Sequence, residues 1–92
     1  MFSYTSGTTG DPKGVKLTHK MLLMSAGSVN LRMGDHALNE NDCYISYLPL
    51  AHSFEQALFA MACLCGMKVG YFGGDVQKIT EDLQILKPTY FP

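Results

Sequence analysis

The fold of this chain is decided by the stretch Tyr4-Thr5-Ser6-Gly7-Thr8-Thr9-Gly10-Asp11-Pro12-Lys13-Gly14. Its glycines let the backbone approach a ligand closely and turn N–H groups toward an anion. Lys13 adds a mobile positive charge. The hydroxyl donors are Thr5, Ser6, Thr8 and Thr9. This set of donors predicts a loop that holds a polyphosphate.

The order of residues in this loop excludes the two commonest phosphate-binding motifs. A Walker A loop needs Gly-Lys followed by Ser or Thr, whereas here Lys13 precedes Gly14 and no hydroxyl follows. The G-x-G-x-x-G dinucleotide pattern is also missing. A plain surface turn is the simpler alternative, but it does not explain so many hydroxyls and glycines beside a lysine.

Outward from the loop, apolar periodicity predicts alternating strands and helices. We expect strands near 2–5, 44–48 and 68–72, and the start of another at 89–91. We expect helices near 19–33, 54–65 and 77–87, with Thr18 as an N-cap and Gly66 as a C-cap. The first helix should bury one stripe, formed by Leu22, Ala26, Val29 and Met33. The alternation predicts an α/β fold, a three-layer fragment of a mostly parallel sheet.

Composition narrows the class of protein. The chain has 92 residues with 47% hydrophobic and 16% charged residues, which suggests a piece of the interior of a larger fold. A net charge of −1 with no basic stripe gives no sign of nucleic-acid binding. The longest apolar run, 57–65, is far shorter than the ~20 residues of a membrane span. Three cysteines without metal-type spacing predict a reduced intracellular compartment and buried free thiols.

The loop resembles the signature loop of the adenylate-forming superfamily, which includes acyl-CoA synthetases, luciferases and peptide-synthetase adenylation domains. The resemblance implies that the loop wraps the β- and γ-phosphates of ATP. It also implies that the hydroxyl of Thr5 joins the Mg²⁺ shell, and that Lys13 contacts phosphate. The implied nucleotide-binding residues are Thr5, Ser6, Gly7, Thr8, Thr9, Gly10, Lys13 and Gly14.

A second motif, Tyr47-Leu48-Pro49-Leu50-Ala51-His52-Ser53-Phe54-Glu55, is similar to a segment of long-chain acyl-CoA synthetases. The resemblance implies that this segment lies beside the acyl pocket and that His52 is a catalytic-site residue near the adenylate. A structural histidine at a helix start is the alternative. Glu55 is expected to cap the helix N-terminus, where its charge meets the helix dipole. The stretch from Gly74 to Thr89 is similar to the same subfamily and is expected to be structural.

The resemblance implies that the parent protein activates a long-chain fatty acid in two steps. The carboxylate forms an acyl-adenylate with ATP, and the thiol of coenzyme A then takes the acyl group. Its partners would be ATP, fatty acid and coenzyme A, in the cytoplasm or on the cytoplasmic face of the endoplasmic reticulum, peroxisomes or mitochondria. A membrane association of the parent stays open.

Residues 1–92 are expected to form a single partial AMP-binding domain from the large N-terminal domain of such an enzyme. The family's Mg²⁺-binding Glu, ribose-binding Asp and catalytic Lys would lie beyond Pro92. These residues alone should therefore be inactive and prone to aggregation. Two alternatives are an aryl- or amino-acid-activating ligase and a non-catalytic truncated product.

Overall fold

A computed structural model describes residues 1–6 and 10–92. The helices are α1 (His19–Met33), α2 (Ser53–Cys65) and α3 (Ile79–Leu86), close to the predicted bounds. Short 3₁₀ turns follow α1 at Gly34–His36 and precede α3 at Val76–Lys78. The strands are β1 (Phe2–Thr5), β2 (Lys13–Lys16), β3 (Cys43–Ser46) and β4 (Lys68–Tyr71). The predicted α/β class is confirmed.

Strand β3 is the centre of a parallel sheet. It pairs with β4 in parallel, with Tyr44 opposite Val69 and Ile45 opposite Gly70. On its other edge, Tyr44 forms a parallel bridge with Tyr90, where the sequence predicts the start of another strand. Tyr44 and Ile45 are both 1% exposed, because strands of a parallel sheet are covered on both faces.

Helices cover the two faces of this sheet, as the three-layer prediction requires. Val69 packs against the core shared by α1 and α2, whereas a Cβ on Gly70 would overlap the side chain of Leu86 at the end of α3. Successive strand residues point to opposite faces, so α2 and α3 lie on opposite sides of β4. The buried members of the core on the α1–α2 side are Ala26, Leu38, Tyr44, Leu58, Met61, Ala62 and Met67.

The expectation that the strand at 2–5 belongs to a mostly parallel set is wrong. Strand β1 forms a separate antiparallel hairpin with β2, in the register Phe2 to Lys16 through Thr5 to Lys13. The sequence analysis missed β2, since Lys-Gly-Val-Lys has no apolar run and all four residues are exposed. Backbone pairing with β1, rather than burial, makes this segment a strand.

The helix ends follow the capping signals. Thr18 accepts a hydrogen bond from the backbone N–H of Met21 at 3.1 Å, and Gly66 ends α2 with φ +70°, as predicted. The predicted stripe of α1 is incomplete, because Ala26 is buried but Val29 is 39% exposed. The three thiols are free, but the prediction that all are buried is wrong: Cys63 is exposed and the other two are half-buried.

Replacing Gly70 should disturb the contact between β4 and α3. We expect Gly70→Ala to lower the free energy of unfolding by about 1–3 kcal/mol, because the new methyl group would displace Leu86. Gly27→Ala is the matched control. Within the described part of the chain, no atom outside the helix's own backbone lies within 4 Å of a Cβ at that position, so the free energy of unfolding should rise by about 0.5–1 kcal/mol. Urea unfolding of both variants measures the difference, and equal midpoints would contradict the packing.

The carboxylate of Asp42 should make the edge of the sheet sensitive to acid. The backbone N–H of Asn39 and the hydroxyl of Thr89 hold the pKa of Asp42 below its usual value. Thr89 donates to Asp42 at 2.8 Å and accepts from the N–H of Cys43 at 3.0 Å. A lowered folded-state pKa means that the stabilisation is present above the unfolded-state pKa and disappears as the pH falls through the folded-state pKa.

We therefore expect the backbone N–H of Tyr90, which donates to the carbonyl of Cys43, to lose protection as the pH falls below the usual pKa of an aspartate. Asp42→Asn should remove that pH dependence, and Asp75→Asn, at the start of the second 3₁₀ turn, should leave it unchanged. Hydrogen exchange, corrected for the intrinsic rate at each pH, makes the comparison. An identical acid profile in Asp42→Asn would rule out this carboxylate.

Candidate functional site

The predicted phosphate-binding residues lie on the β1–β2 hairpin and its connection. Thr5, the last residue of β1, lies directly opposite Lys13, the first residue of β2. Cross-strand partners project from the same face of a hairpin, so the hydroxyl and the ammonium group flank the mouth of the connection together. Ser6 and Gly10 are exposed beside them, whereas Gly7, Thr8 and Thr9 lie outside the described residues.

Gly10 and Gly14 of the hairpin are glycines for two different structural reasons. Gly10 has φ +89°, a left-handed conformation that disfavours other residues. Gly14 lies across from Tyr4, and a Cβ there would come within 3.2 Å of the Tyr4 ring. An aromatic ring placed over a cross-strand glycine covers the backbone that the missing side chain would expose. Gly14 therefore has a packing role, and its contact with phosphate stays a prediction.

The hairpin is joined to the second motif by a hydrogen bond that the sequence analysis missed. Ser3 of β1 is buried, and its hydroxyl donates to the carbonyl of Ala51 at 3.3 Å. Because side chains alternate along a strand, Ser3 and Thr5 share one face of the hairpin, and Lys13 joins them as the partner of Thr5. Thr5 and Lys13 therefore lie on the face that meets the segment before α2.

His52 is the N-cap of α2. Its Nδ1 accepts a hydrogen bond from the backbone N–H of Phe54 at 3.2 Å. The backbone N–H of His52 donates to the carbonyl of Pro49 at 2.8 Å. A neutral imidazole that accepts at Nδ1 carries its proton on Nε2. The exposed ring therefore has a structural role at Nδ1, and its Nε2 makes no hydrogen bond with residues 1–6 and 10–92. The two interpretations of His52 drawn from the sequence are compatible.

Glu55 does not cap the helix, because His52 makes the side-chain cap contact. Glu55 lies in the first turn, 1% exposed, and its Oε1 accepts hydrogen bonds from the hydroxyls of Tyr44 at 3.1 Å and Ser46 at 2.6 Å. Its Oε2 is buried without a partner among residues 1–6 and 10–92. Burial, followed by the charge of Glu55, raises the pKa of Tyr44, so the phenol stays a neutral donor.

This buried network carried a signal in the sequence. Glu55 stands three and seven positions before Leu58 and Ala62, which are buried in the same helix. A carboxylate on the apolar stripe of a helix needs partners on the element that the stripe packs against. Alternation along β3 supplies them, since Tyr44 and Ser46 point to the same face.

An apolar groove begins directly after His52. A cavity of about 350 Å³ lies between α1 and α2, with Ser53 and Phe54 in its wall. A neighbouring cavity of about 80 Å³ shares Ser25, Phe54 and Ala57 with it and extends to Met61 and Tyr90. Within the described ranges, no group of three or more His, Cys, Asp or Glu side chains is placed to hold a metal, and no helix is long and apolar enough to cross a membrane.

Comparison with known proteins gives matches along the entire chain. The family model described as "AMP-binding enzyme" matches residues 1–92. Long-chain-fatty-acid–CoA ligase 1 of Cavia porcellus is 43% identical over 90 residues, which are 97% of this chain and 13% of the ligase. Long chain acyl-CoA synthetase 7, peroxisomal, of Arabidopsis thaliana is 46% identical over 88 residues, 96% of this chain and 12% of that protein. The chain thus spans about an eighth of the length of these relatives.

Solved structures share the fold. The o-succinylbenzoate coenzyme A synthetase of Bacillus subtilis, in complex with ATP and magnesium ion, superposes with a TM-score of 0.79 at 31% identity. The match covers 98% of this chain and 18% of that one. Another structure of the same enzyme, in complex with the acyl-adenylate intermediate OSB-AMP, also gives 0.79.

The capping role of His52 can be separated from any chemical role by two substitutions. His52→Ala removes the acceptor for the N–H of Phe54 and should lower the free energy of unfolding by about 0.5–2 kcal/mol. His52→Asn removes the imidazole but supplies a favoured N-cap acceptor, so its stability should stay near that of the wild type. Urea unfolding of the three proteins measures this. If the alanine variant is as stable as the asparagine variant, the Nδ1 contact is not a stabilising cap.

Proposed function

The chain belongs to the family of AMP-binding enzymes, which confirms the resemblance drawn from its loop, and we propose that it is part of a long-chain fatty acid–CoA ligase. Residues 1–92 would form a partial AMP-binding domain within a longer protein. That protein would join ATP to a fatty carboxylate, release pyrophosphate, and pass the acyl group from the adenylate to the thiol of coenzyme A, releasing AMP.

The observation that carries the proposal is the register of the hairpin. Thr5 and Lys13 are paired across the strands, on the face that Ser3 joins to Ala51 and so to the segment of His52. The polyphosphate end and the acyl end of an adenylation site would therefore be neighbours. Relatives named as long-chain acyl-CoA synthetases and ligases support the fatty acid as the substrate.

The donors on the hairpin fit the phosphates of ATP. Lys13, Thr5 and Ser6 are exposed, and each can donate hydrogen bonds to phosphate oxygens. Magnesium binds through few protein ligands and keeps contacts to substrate phosphates and water, so a single hydroxyl such as that of Thr5 fits this ion. When bound, the ion would neutralise negative charge on the phosphates. The predicted phosphate contacts of Gly7, Thr8 and Thr9 would add further donors.

The residues of the chain would act by orientation and charge. Lys13 would stabilise the negative charge that grows on the departing pyrophosphate, because its ammonium group can hydrogen-bond the phosphate oxygens where that charge develops. His52 would donate from Nε2 to an oxygen of the adenylate, while Nδ1 stays on the N–H of Phe54. The N-terminus of α2 adds a favourable dipole for negative charge at this place.

The groove between α1 and α2 would supply part of the wall of the acyl site. It starts at Ser53 and Phe54, directly after His52, and its lining includes Leu17, Met21 and Leu22. An apolar groove that begins at the reacting carboxyl group suits an aliphatic tail. The name of the Arabidopsis relative places that protein in peroxisomes, and we propose an intracellular location for this one, without choosing a compartment.

Lys13 provides the direct test. In the full-length protein that carries this chain, Lys13→Ala should lower the rate of palmitate-dependent ATP–pyrophosphate exchange by about one to two decades. Loss of a charge-assisted hydrogen bond is worth roughly 1.5–3 kcal/mol. Binding of the fatty acid should change little, because the ammonium group lies at the phosphate end.

The matched control is Lys16→Ala, a lysine on the same strand that pairs with Phe2, away from the connection. It should leave exchange unchanged. Equal rates for wild type and Lys13→Ala would remove Lys13 from the site. Exchange that depends on an aromatic or amino acid, with none from palmitate, would replace the proposed substrate class.

A further inference from the structure

Glu55 holds together the two ends of the segment that contains His52. Strand β3 ends at Ser46, and the chain returns to the sheet at the first turn of α2. The hydroxyl of Ser46 donates to Oε1 of Glu55 at 2.6 Å, which joins the two ends of the segment 47–54. That segment contains His52 and Ala51. Fixing the ends of a short segment restricts the conformations open to the residues inside it.

The segment is also held from within and from the hairpin. The N–H of His52 donates to the carbonyl of Pro49, and the hydroxyl of Ser3 donates to the carbonyl of Ala51. Gln56, the next residue of α2, donates from Nε2 to the carbonyl of Leu50 at 2.9 Å. These contacts set the turn itself, but only Glu55 ties the first turn of α2 to the side chains of β3 among the described hydrogen bonds.

A carboxylate at position 55 lowers the stability of the fold relative to an apolar side chain. It is 1% exposed, and one of its oxygens has no partner within the described part of the chain. Burying a polar group with only partial compensation lowers the stability of a fold, so such a group suggests a role other than stability. An apolar side chain would suit the core better but could not accept from Tyr44 and Ser46.

We propose that Glu55 is a positioning residue, which holds the first turn of α2 on β3 and thereby places His52 beside the Thr5–Lys13 face of the hairpin. This inference rests on the proposed function. Glu55 itself does not touch the reacting atoms in this arrangement. It acts through the hydrogen bonds that it accepts from Tyr44 and Ser46. Removing either hydroxyl should therefore lower kcat by less than removing the carboxylate.

The experiment compares three variants of the full-length protein. Glu55→Leu removes the acceptor and should lower kcat for acyl-CoA formation by about ten- to a hundredfold, the cost of a small misplacement at a reacting centre. The KM for ATP should change little, because Lys13 and Thr5 are unaffected. Glu55→Gln keeps an acceptor of the same shape and should restore most of kcat. Ser46→Ala loses a single donor and should fall between them, which keeps the test available if Glu55→Leu folds poorly.

The matched control is Asn30→Ala, a residue of α1 that contacts Cys65 at the end of α2 opposite to Glu55. Asn30 also makes several partly buried hydrogen bonds, to the backbone of Leu38 and to Sγ of Cys65. Its loss should lower stability but leave the kcat of the folded enzyme unchanged. A purely structural Glu55 would behave in the same way as Asn30, and that result would overturn the proposal.

Two further readouts test this inference, and the second does not depend on the proposed function. Combining Glu55→Leu with His52→Ala should lower kcat no further than His52→Ala alone, because both changes remove the same placed imidazole. Independently of activity, the backbone N–H groups of His52 and Phe54 should exchange faster in Glu55→Leu and Ser46→Ala than in Asn30→Ala. If the wild type does not activate fatty acids but these amides respond as expected, the proposed function fails and the positioning role stands. Unchanged exchange at both amides would overturn the positioning role itself.

Discussion

The pleat of β3 is the constraint on which the rest of the structure depends. Tyr44 and Ile45 are neighbours in sequence and point to opposite faces, and both are almost completely buried. One face therefore needs α1 and α2, and the other needs α3, which comes so close to β4 that Gly70 leaves no room for a side chain. The same alternation puts Tyr44 and Ser46 on the face of α2, where the carboxylate of Glu55 receives both hydroxyls.

The elements with strong local signals could be predicted from the sequence. Thr18 and Gly66 marked helix ends correctly, since capping depends on residues within one turn. Strand β2 could not be predicted in this way: its four exposed residues are ordered by the register with β1, and neither strand alone contains that information. The apolar periodicity also did not predict the exposure of Val29 at the edge of the helix packing. The width of a buried stripe is set by the element that packs against it.

The candidate site shows the same division. The residues proposed to bind phosphate were predicted from their chemistry, because glycines, hydroxyl side chains and a lysine in one loop are the groups that suit an anion. Ser3 and Glu55 were missed or misassigned, since each acts through a partner far along the chain or on another element. His52 illustrates how a structural and a chemical role can coexist, as the two ring nitrogens are separate sites. A helix cap at Nδ1 fixes the ring and the tautomer that a ligand would meet at Nε2.

The position of Tyr90 beside Tyr44 has a consequence for the order of folding. The bond between Thr89 and Cys43 joins residues 46 positions apart, and Tyr47 stacks on Phe91 with ring centroids 5.6 Å apart. The pairing of β1 with β2 uses only contacts that are local in sequence and can begin while the chain is still being synthesised. The edge of β3 that bridges Tyr90 stays unpaired until the ribosome has released that residue. During that interval its backbone donors and acceptors are open to other chains. The need of this segment for chaperone protection should therefore increase with the time between the synthesis of β3 and the synthesis of Tyr90.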